Sequence, residues 1–252
     1  MKKIVSLLAI ASLTASGAVM ADRDDDSACD ALPSHSALES ALKSAQAEGN
    51  GGFGLNMWGT IVARDGTVCT VAMTGDDAGD QWPGSRVISA QKANTANAFS
   101  LPGLALSTAN IFSAVQPGGS LFGLQHSNPV DTKTAYRGDA KDYGTNSDAM
   151  VGRKIGGVNV FGGGLALYDA DGTLLGAVGV SGDSSCADHN IAWRTRTNLS
   201  LDNVPAGVGT NGDDNIVYDI VDGVSTSGWG HASCGQAAED IAEAFPDLTS
   251  AP

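Results

Sequence analysis

Basic residues are scarce in this 252-residue chain. It has 14 Lys and Arg against 28 Asp and Glu, which gives a formal net charge of −14. Because nucleic acids and anionic membrane surfaces are bound through clustered Lys and Arg, this balance argues against both as partners. Aromatic residues make up only 6% of the chain, but hydrophobic residues reach 42%, which is enough for a packed core. We therefore expect a folded protein and not a disordered acidic tail.

Several catalytic signatures are also missing. The chain has no Gly-x-Ser-x-Gly nucleophile turn, no phosphate-binding P-loop and no His-Glu-x-x-His zinc motif. Its glycine triplet at 162–164 lacks the spacing of a dinucleotide-binding turn and indicates a bulge or a close backbone approach. Composition and motifs alone assign no reaction, so whether the protein is an enzyme stays open.

A long hydrophobic run occurs only at the N-terminus, where the pattern is typical of an export signal. Lys2 and Lys3 precede a short apolar run at 4–13, and Val19 and Ala21 suit cleavage after residue 21. The run is too short for a membrane-spanning helix. We predict a signal peptide over residues 1–21 and a mature protein in the periplasm or outside the cell, with no membrane insertion.

The chain has only four cysteines, at positions 29, 69, 186 and 234. An even number in an oxidising compartment favours two disulfides, and the spacings match no zinc motif. Three pairings are possible, and spacing does not choose among them. We favour Cys29–Cys69 and Cys186–Cys234, because each pair would tie a terminal extension to the nearest central element.

Periodicity predicts a single α+β domain with one antiparallel sheet packed against helices. A capping-box pattern, Ser36 with Glu39, indicates where the first helix begins. The other predicted elements are hairpins at 55–74 and 158–180 and helices at 85–99, 104–115, 185–199 and 235–245. A long polar stretch at 117–157 is expected to be a functional or mobile loop. We divide the mature chain into an N-terminal extension (22–35), the domain (36–200) and a C-terminal extension (201–252).

Two histidines are candidates for ligand binding. His126 lies in the long loop, and His189 lies in the first turn of a predicted helix. An imidazole can ligate iron or bond to an acid, although both could equally be surface or capping residues. Arg86 and Lys92 share one predicted helix and could meet ligand carboxylates, or could simply form a solvated helix face. His35 and His231, in the extensions, suggest no role.

Two sequence blocks resemble the GlcG/HbpS-like haem-binding family. The first is Lys92-Ala-Asn-Thr-Ala-Asn-Ala-Phe99, followed by Pro102. The second is Gly176-Ala-Val-Gly-Val-Ser181-Gly182, continuing to Asp188. The resemblance covers roughly residues 36–200. The long loop, the C-terminal extension and the cysteines look like additions to the family pattern, and no family haem ligand maps onto a matching position.

The resemblance implies a profilin-like domain with a sheet of about five strands, assembly into homo-oligomers, and haem as cofactor. Some members of the family degrade haem or sense redox state. We therefore predict an exported haem-binding protein with a pocket between the long loop and the helices. Its iron ligand would be His189 or His126, with His189 favoured, and Arg86, Lys92 and Arg194 would supply cations for the haem carboxylates.

Two other functions stay open: an oligomeric interaction domain without a cofactor, and a binder of another small organic molecule. Besides the family resemblance, two features support a homo-oligomer. The predicted helix at 104–115 is too hydrophobic for a free surface, and small domains of this type expose sheet edges.

Overall fold

The computed structural model describes residues 26–245, so the predicted signal peptide lies outside the described residues. Its α-helices are α1 (His35–Gln46), α2 (Ser85–Phe99), α3 (Leu124–Ser127), α4 (Thr132–Ala135), α5 (Ser185–Asn198) and α6 (Gln236–Glu243). Its strands are β1 (Trp58–Ala63), β2 (Val68–Met73), β3 (Gly164–Tyr168), β4 (Leu174–Ser181), β5 (Ile220–Val221) and β6 (Val224–Ser225). Every helix within this part of the chain is too short or too polar to span a bilayer.

The α+β class is confirmed, with a four-stranded antiparallel sheet instead of about five strands. The strand order is β2-β1-β4-β3, so β1 and β4 are central and both predicted hairpins form. The remaining two strands, β5 and β6, make a separate hairpin in the C-terminal extension.

The helices form a layer on each face of the sheet. Helix α2 lies across β1, β3 and β4 on one face, whereas α1 and α5 pack together on the other. Gly179 permits the close approach of α2, because a Cβ there would overlap the carbonyl oxygen of Ser89. The first helix is capped by Ser34, whose Oγ accepts a hydrogen bond from the N–H of Ala37, and not by Ser36 as predicted.

The predicted helix at 104–115 does not form, and only residues 113–115 make a short 3-10 turn. Side chains in this segment compete with helical hydrogen bonding: Ser107 Oγ donates to Asn110 Oδ1, and Thr108 Oγ1 donates to the carbonyl of Phe161. Most of the segment is buried, because the C-terminal extension lies over it. Ala105 and Asn110 bond to carbonyls of that extension.

Both predicted disulfides, Cys29–Cys69 and Cys186–Cys234, are present. The outer strands of the sheet are also tied to loops. The N–H of Val68 in β2 donates to Arg153, and the N–H of Tyr168 in β3 donates to Leu201. One feature from which we inferred a homo-oligomer, an uncovered apolar helix, is therefore wrong in this part of the chain. The other, bare sheet edges, holds in part, because the bonds at Val68 and Tyr168 cover only part of each outer strand. The homo-oligomer itself stays a prediction.

Candidate functional site

Arg86 is buried and holds the long loop against α2. Its guanidinium donates to both carboxylate oxygens of Asp148 and, at 2.8 Å, to the carbonyl of Ala135. The aromatic ring of Tyr143 lies 3.7 Å below the guanidinium carbon. Because Arg86 is only 1% exposed, its interpretation as part of a solvated helix face is wrong. These contacts join Ala135 and Asp148, in the stretch at 117–157, to α2.

Lys92 is fully buried where α2 meets the start of α5, so it too is not on a solvated face. Its Nζ donates to Asp188 Oδ2 at 2.6 Å and to the carbonyl of Val180 at 3.0 Å. The other oxygen of Asp188 accepts the N–H groups of Gly182 and Asp183. Burial raises the pKa of Asp188 to about 6, although Lys92 opposes the shift, and burial lowers the pKa of Lys92. Asp188 is therefore ionised at neutral pH.

His189 follows Asp188 and is buried beneath the C-terminal extension. Its Nε2 accepts the N–H of Ile216 at 3.2 Å, so its proton is on Nδ1. His231 is also buried. Its Nε2 accepts the N–H of Gly162 at 3.3 Å, and its Nδ1 donates to the carbonyl of Ala232 at 2.7 Å. Burial lowers the pKa of His189 to about 3 and that of His231 to about 4, so both are neutral at neutral pH.

The two arginines near the end of α5 make separate contacts. Arg194 donates to the carbonyl of Gly49 at 2.6 Å and lies 3.2 Å from a Glu48 carboxylate oxygen, so it holds the turn that follows α1. Arg196 donates to both oxygens of Asp214 at 2.8 Å and anchors the C-terminal extension. The structure thus brings Lys92 close to His189, whereas Arg86 and Arg194 each have partners in other parts of the fold.

A groove of about 460 Å³ lies between the C-terminal end of α2 and the long loop. We call it the α3 groove; it is lined by Asn94, Ala98, Phe99, Leu124, Ser127, Asn128, Pro129, Gly156, Gly157 and Val158. Helix α3 supplies part of its wall and also carries His126, which is exposed. The groove lies where a pocket between the long loop and the helices was predicted, but neither His126 nor His189 is among its lining residues.

Two cations lie beside the α3 groove. The turn between β1 and β2 adjoins the groove, because Gly66 approaches the side chain of Asn94. In this turn, Arg64 donates to the Oδ1 of Asn97 at 2.6 Å, and Asp65 pairs with Lys154 at 2.7 Å. Nothing in the spacing of these two cations relates them to α2, so they were not predicted from the sequence.

A second cavity, of about 660 Å³, lies between the loop at 112–120 and the C-terminal extension. We call it the hairpin cleft; it is lined by Phe112, Ser113, Ala114, Gln116, Pro117, Gly118, Gly119, Ser120, Ile220, Gly223, Val224, Ser225, Gly228 and Ala232. A more open depression of about 760 Å³ runs beside α1 and contains no histidine. Within residues 26–245, no cluster of three or more His, Cys, Asp or Glu side chains could hold a metal ion.

Comparison with known proteins places this chain in a family. Protein ORFY of Klebsiella pneumoniae is 25% identical, with a TM-score of 0.45 over 67% of this chain and 90% of that chain. The PduOC:heme complex is 24% identical, with a TM-score of 0.46 over 66% and 94%. A double mutant of HbpS from Streptomyces reticuli is 15% identical, with a TM-score of 0.40 over 75% and 97%. No curated protein matches. The family model described as haem degrading protein HbpS-like matches residues 34–196, well over half of the chain, and the protein therefore belongs to the HbpS-like haem degrading protein family.

Proposed function

We propose that this protein binds haem in the α3 groove, with His126 as the ligand to the iron. Membership of the HbpS-like haem degrading family supports the cofactor. One observation carries the site: of the four histidines, all within residues 26–245, His126 alone is exposed, and it lies on the helix that forms a wall of the groove.

The residues around the groove fit the chemistry of haem. Phe99, Leu124 and Val158 provide apolar surface for the macrocycle, and an imidazole is a common axial ligand. Arg64 and Lys154 are exposed cations that can pair with the carboxylates. Haem supplies redox-active iron when it is bound, whereas the residues of the chain hold and orient it.

The other predicted site residues are less accessible. His189 is fully buried, and its Nε2 already accepts a hydrogen bond from Ile216. Using it as a ligand would require the C-terminal extension to move. Arg86, Lys92 and Arg194 are buried or half-buried, so their predicted role toward the haem carboxylates stays untested. Arg64 and Lys154 also have partners, Asn97 and Asp65, but both are exposed, and we assign the role to them.

We place this function outside the cytoplasm. Two disulfides are typical of proteins in oxidising compartments, and the N-terminal pattern is that of an export signal. Haem binding by an exported protein of this family is consistent with sequestration, degradation or redox sensing, and we propose sequestration because it requires no residue beyond those that hold the macrocycle.

Haemin titration followed by the Soret band tests the proposal. The mature protein should give a saturable band at one haem per chain, and His126→Ala should abolish or shift it. Ser127→Ala is the matched control, because it alters the same short helix and the same groove without removing the imidazole. Thermal unfolding of each variant checks that the fold is intact.

The alternatives give different results in the same assay. If His189→Ala removes the band and His126→Ala does not, the iron is bound beneath the C-terminal extension and our site is wrong. If the wild-type protein gives no saturable band, haem is not its ligand, and an interaction domain without a cofactor becomes the better description.

A further inference from the structure

We infer that the hairpin cleft is a second binding site, for a small, uncharged and largely apolar molecule. Its volume of about 660 Å³ lies within the usual range of small-molecule sites. None of its lining residues is charged, although the whole chain has a formal charge of −14. This site is separate from the α3 groove proposed for haem, and the inference does not depend on that proposal.

The two walls of the cleft are held in place by contacts that need no ligand. One wall is the loop at 112–120, and the other comes from β5, β6 and the residues that follow them. Ser113 Oγ donates to the carbonyl of Gly230 and so joins the two walls. The ring of Phe112 lies against the buried His231, with 4.6 Å between ring centroids. Gly119 allows the tight loop, because a Cβ there would overlap the carbonyl of Ala114.

Three of the four polar side chains of the cleft donate hydrogen bonds to other groups of the protein. Ser113 donates to Gly230, Gln116 Nε2 donates to the carbonyl of Phe112, and Ser225 Oγ donates to Asp219. An anionic ligand would therefore meet no cation here, and a cationic one would meet no carboxylate among the lining side chains. The lining side chains offer no cation to the haem carboxylates, so the cleft favours a neutral molecule over haem.

The hairpin supplies a matched pair of residues for a test. Val221 and Val224 are paired across the β5–β6 hairpin, and they are exposed to similar extents, 63% and 68%. Val224 lines the cleft, whereas Val221 does not. A charge at either position lies on the surface and should leave the fold intact, but only Val224 is part of the cleft lining, so its charge lies nearer to the ligand.

Nile red, a neutral aromatic dye whose emission shifts to the blue in apolar surroundings, is the probe. The mature protein should bind one dye per chain, with Val224→Asp weakening the affinity at least tenfold and Val221→Asp changing it less than twofold. Ala114→Phe, which places a ring in the cleft, should also weaken binding. Haemin added at one equivalent should leave the dye bound.

Three results would overturn the inference. Dye emission that does not saturate, or that responds equally to both aspartates, would show adsorption to exposed apolar surface and not binding in the cleft. Displacement of the dye by haemin, with loss of haemin binding in Val224→Asp, would make the cleft the haem site. If dye binding is lost at the protein concentrations where light scattering shows a dimer, the cleft is an interface between two copies of the chain.

Discussion

Substituting Asn for Asp188 should destabilise the protein severely, because it leaves the ammonium group of Lys92 buried without an anion. Lys92 is fully buried, and the nearest carboxylate oxygen is that of Asp188, at 2.6 Å. Asparagine keeps the size of the side chain, and its single oxygen can still accept an N–H from Gly182 or Asp183. The change therefore removes the charge with little loss of packing.

The expected loss is about 3–5 kcal/mol, the usual cost of removing one partner of a buried ion pair. This is a large part of the roughly 5–15 kcal/mol that stabilises a typical protein. Lys92→Met should cost less, because the remaining carboxylate keeps its two backbone hydrogen bonds and can take up a proton, with its pKa already raised to about 6. Combining Lys92→Met with Asp188→Asn should recover part of the stability lost in Asp188→Asn.

Urea unfolding followed by far-UV circular dichroism, with the disulfides intact, measures these differences. With a slope of about 1–3 kcal/mol per molar urea, Asp188→Asn should lower the midpoint by more than about 1 M. The exposed pair of Glu39 and Lys43, 2.7 Å apart, gives the control: Glu39→Gln should cost no more than about 0.5 kcal/mol. Equal, small effects of the two substitutions would refute the argument that the Lys92–Asp188 pair is desolvated.

Two further predictions concern the C-terminal half. Because burial lowers the pKa values of His189 and His231 to about 3 and 4, the unfolded chain, with histidine pKa values near 6.5, binds two more protons than the folded protein between about pH 6.5 and 4. Burial raises the pKa of Asp188 to about 6, so the folded protein binds one extra proton at this carboxyl group, which offsets one of the two histidine protons. The free energy of unfolding should therefore fall by roughly 1 kcal/mol per pH unit on acidification. A flat thermal-unfolding profile from pH 7 to 4.5 would contradict this. Replacing Cys186 and Cys234 with Ser opens a loop with a sequence separation of 48 and should cost up to about 4 kcal/mol; an unchanged Tm would contradict this.

Local pattern in the sequence predicted the elements but not the burial of charges. Helix α2 forms at the predicted 85–99, since its apolar and small residues recur at helical spacing. The partners of Arg86 and Lys92 lie 62 and 96 residues away, so no local pattern could reveal them. A usable indication was present nevertheless: both cations share a helix with Ser89, Ala90 and Ala93, whose small side chains allow the backbone to pack closely.

The candidate site, too, depends on contacts between residues far apart in the chain, which the sequence pattern does not reveal. His189 was favoured over His126 because a position in the first turn of a helix is fixed; the structure places His189 in α5, as its fifth residue. Its burial depends on Ile216 in the C-terminal extension, a contact that spacing does not reveal. The hairpin cleft was not predicted, because its walls are about 100 residues apart in the chain. In the segment at 104–115, Ser107 and Asn110 were an indication against a helix, because Ser and Asn side chains compete with helical backbone hydrogen bonds.

Hydrogen bonds between loops and the two outer strands of the sheet affect the tendency of this protein to aggregate. An edge strand with free N–H and C=O groups is a template for a strand from another molecule. Here β2 is bonded at Val68 to the long loop, and β3 is bonded at Gly164 and Tyr168 to other segments of the same chain. An incoming strand would have to displace these bonds first. Copies of this protein that associate should therefore do so through their side-chain surfaces, as separate folded units, and not by extending one another's sheets into fibres.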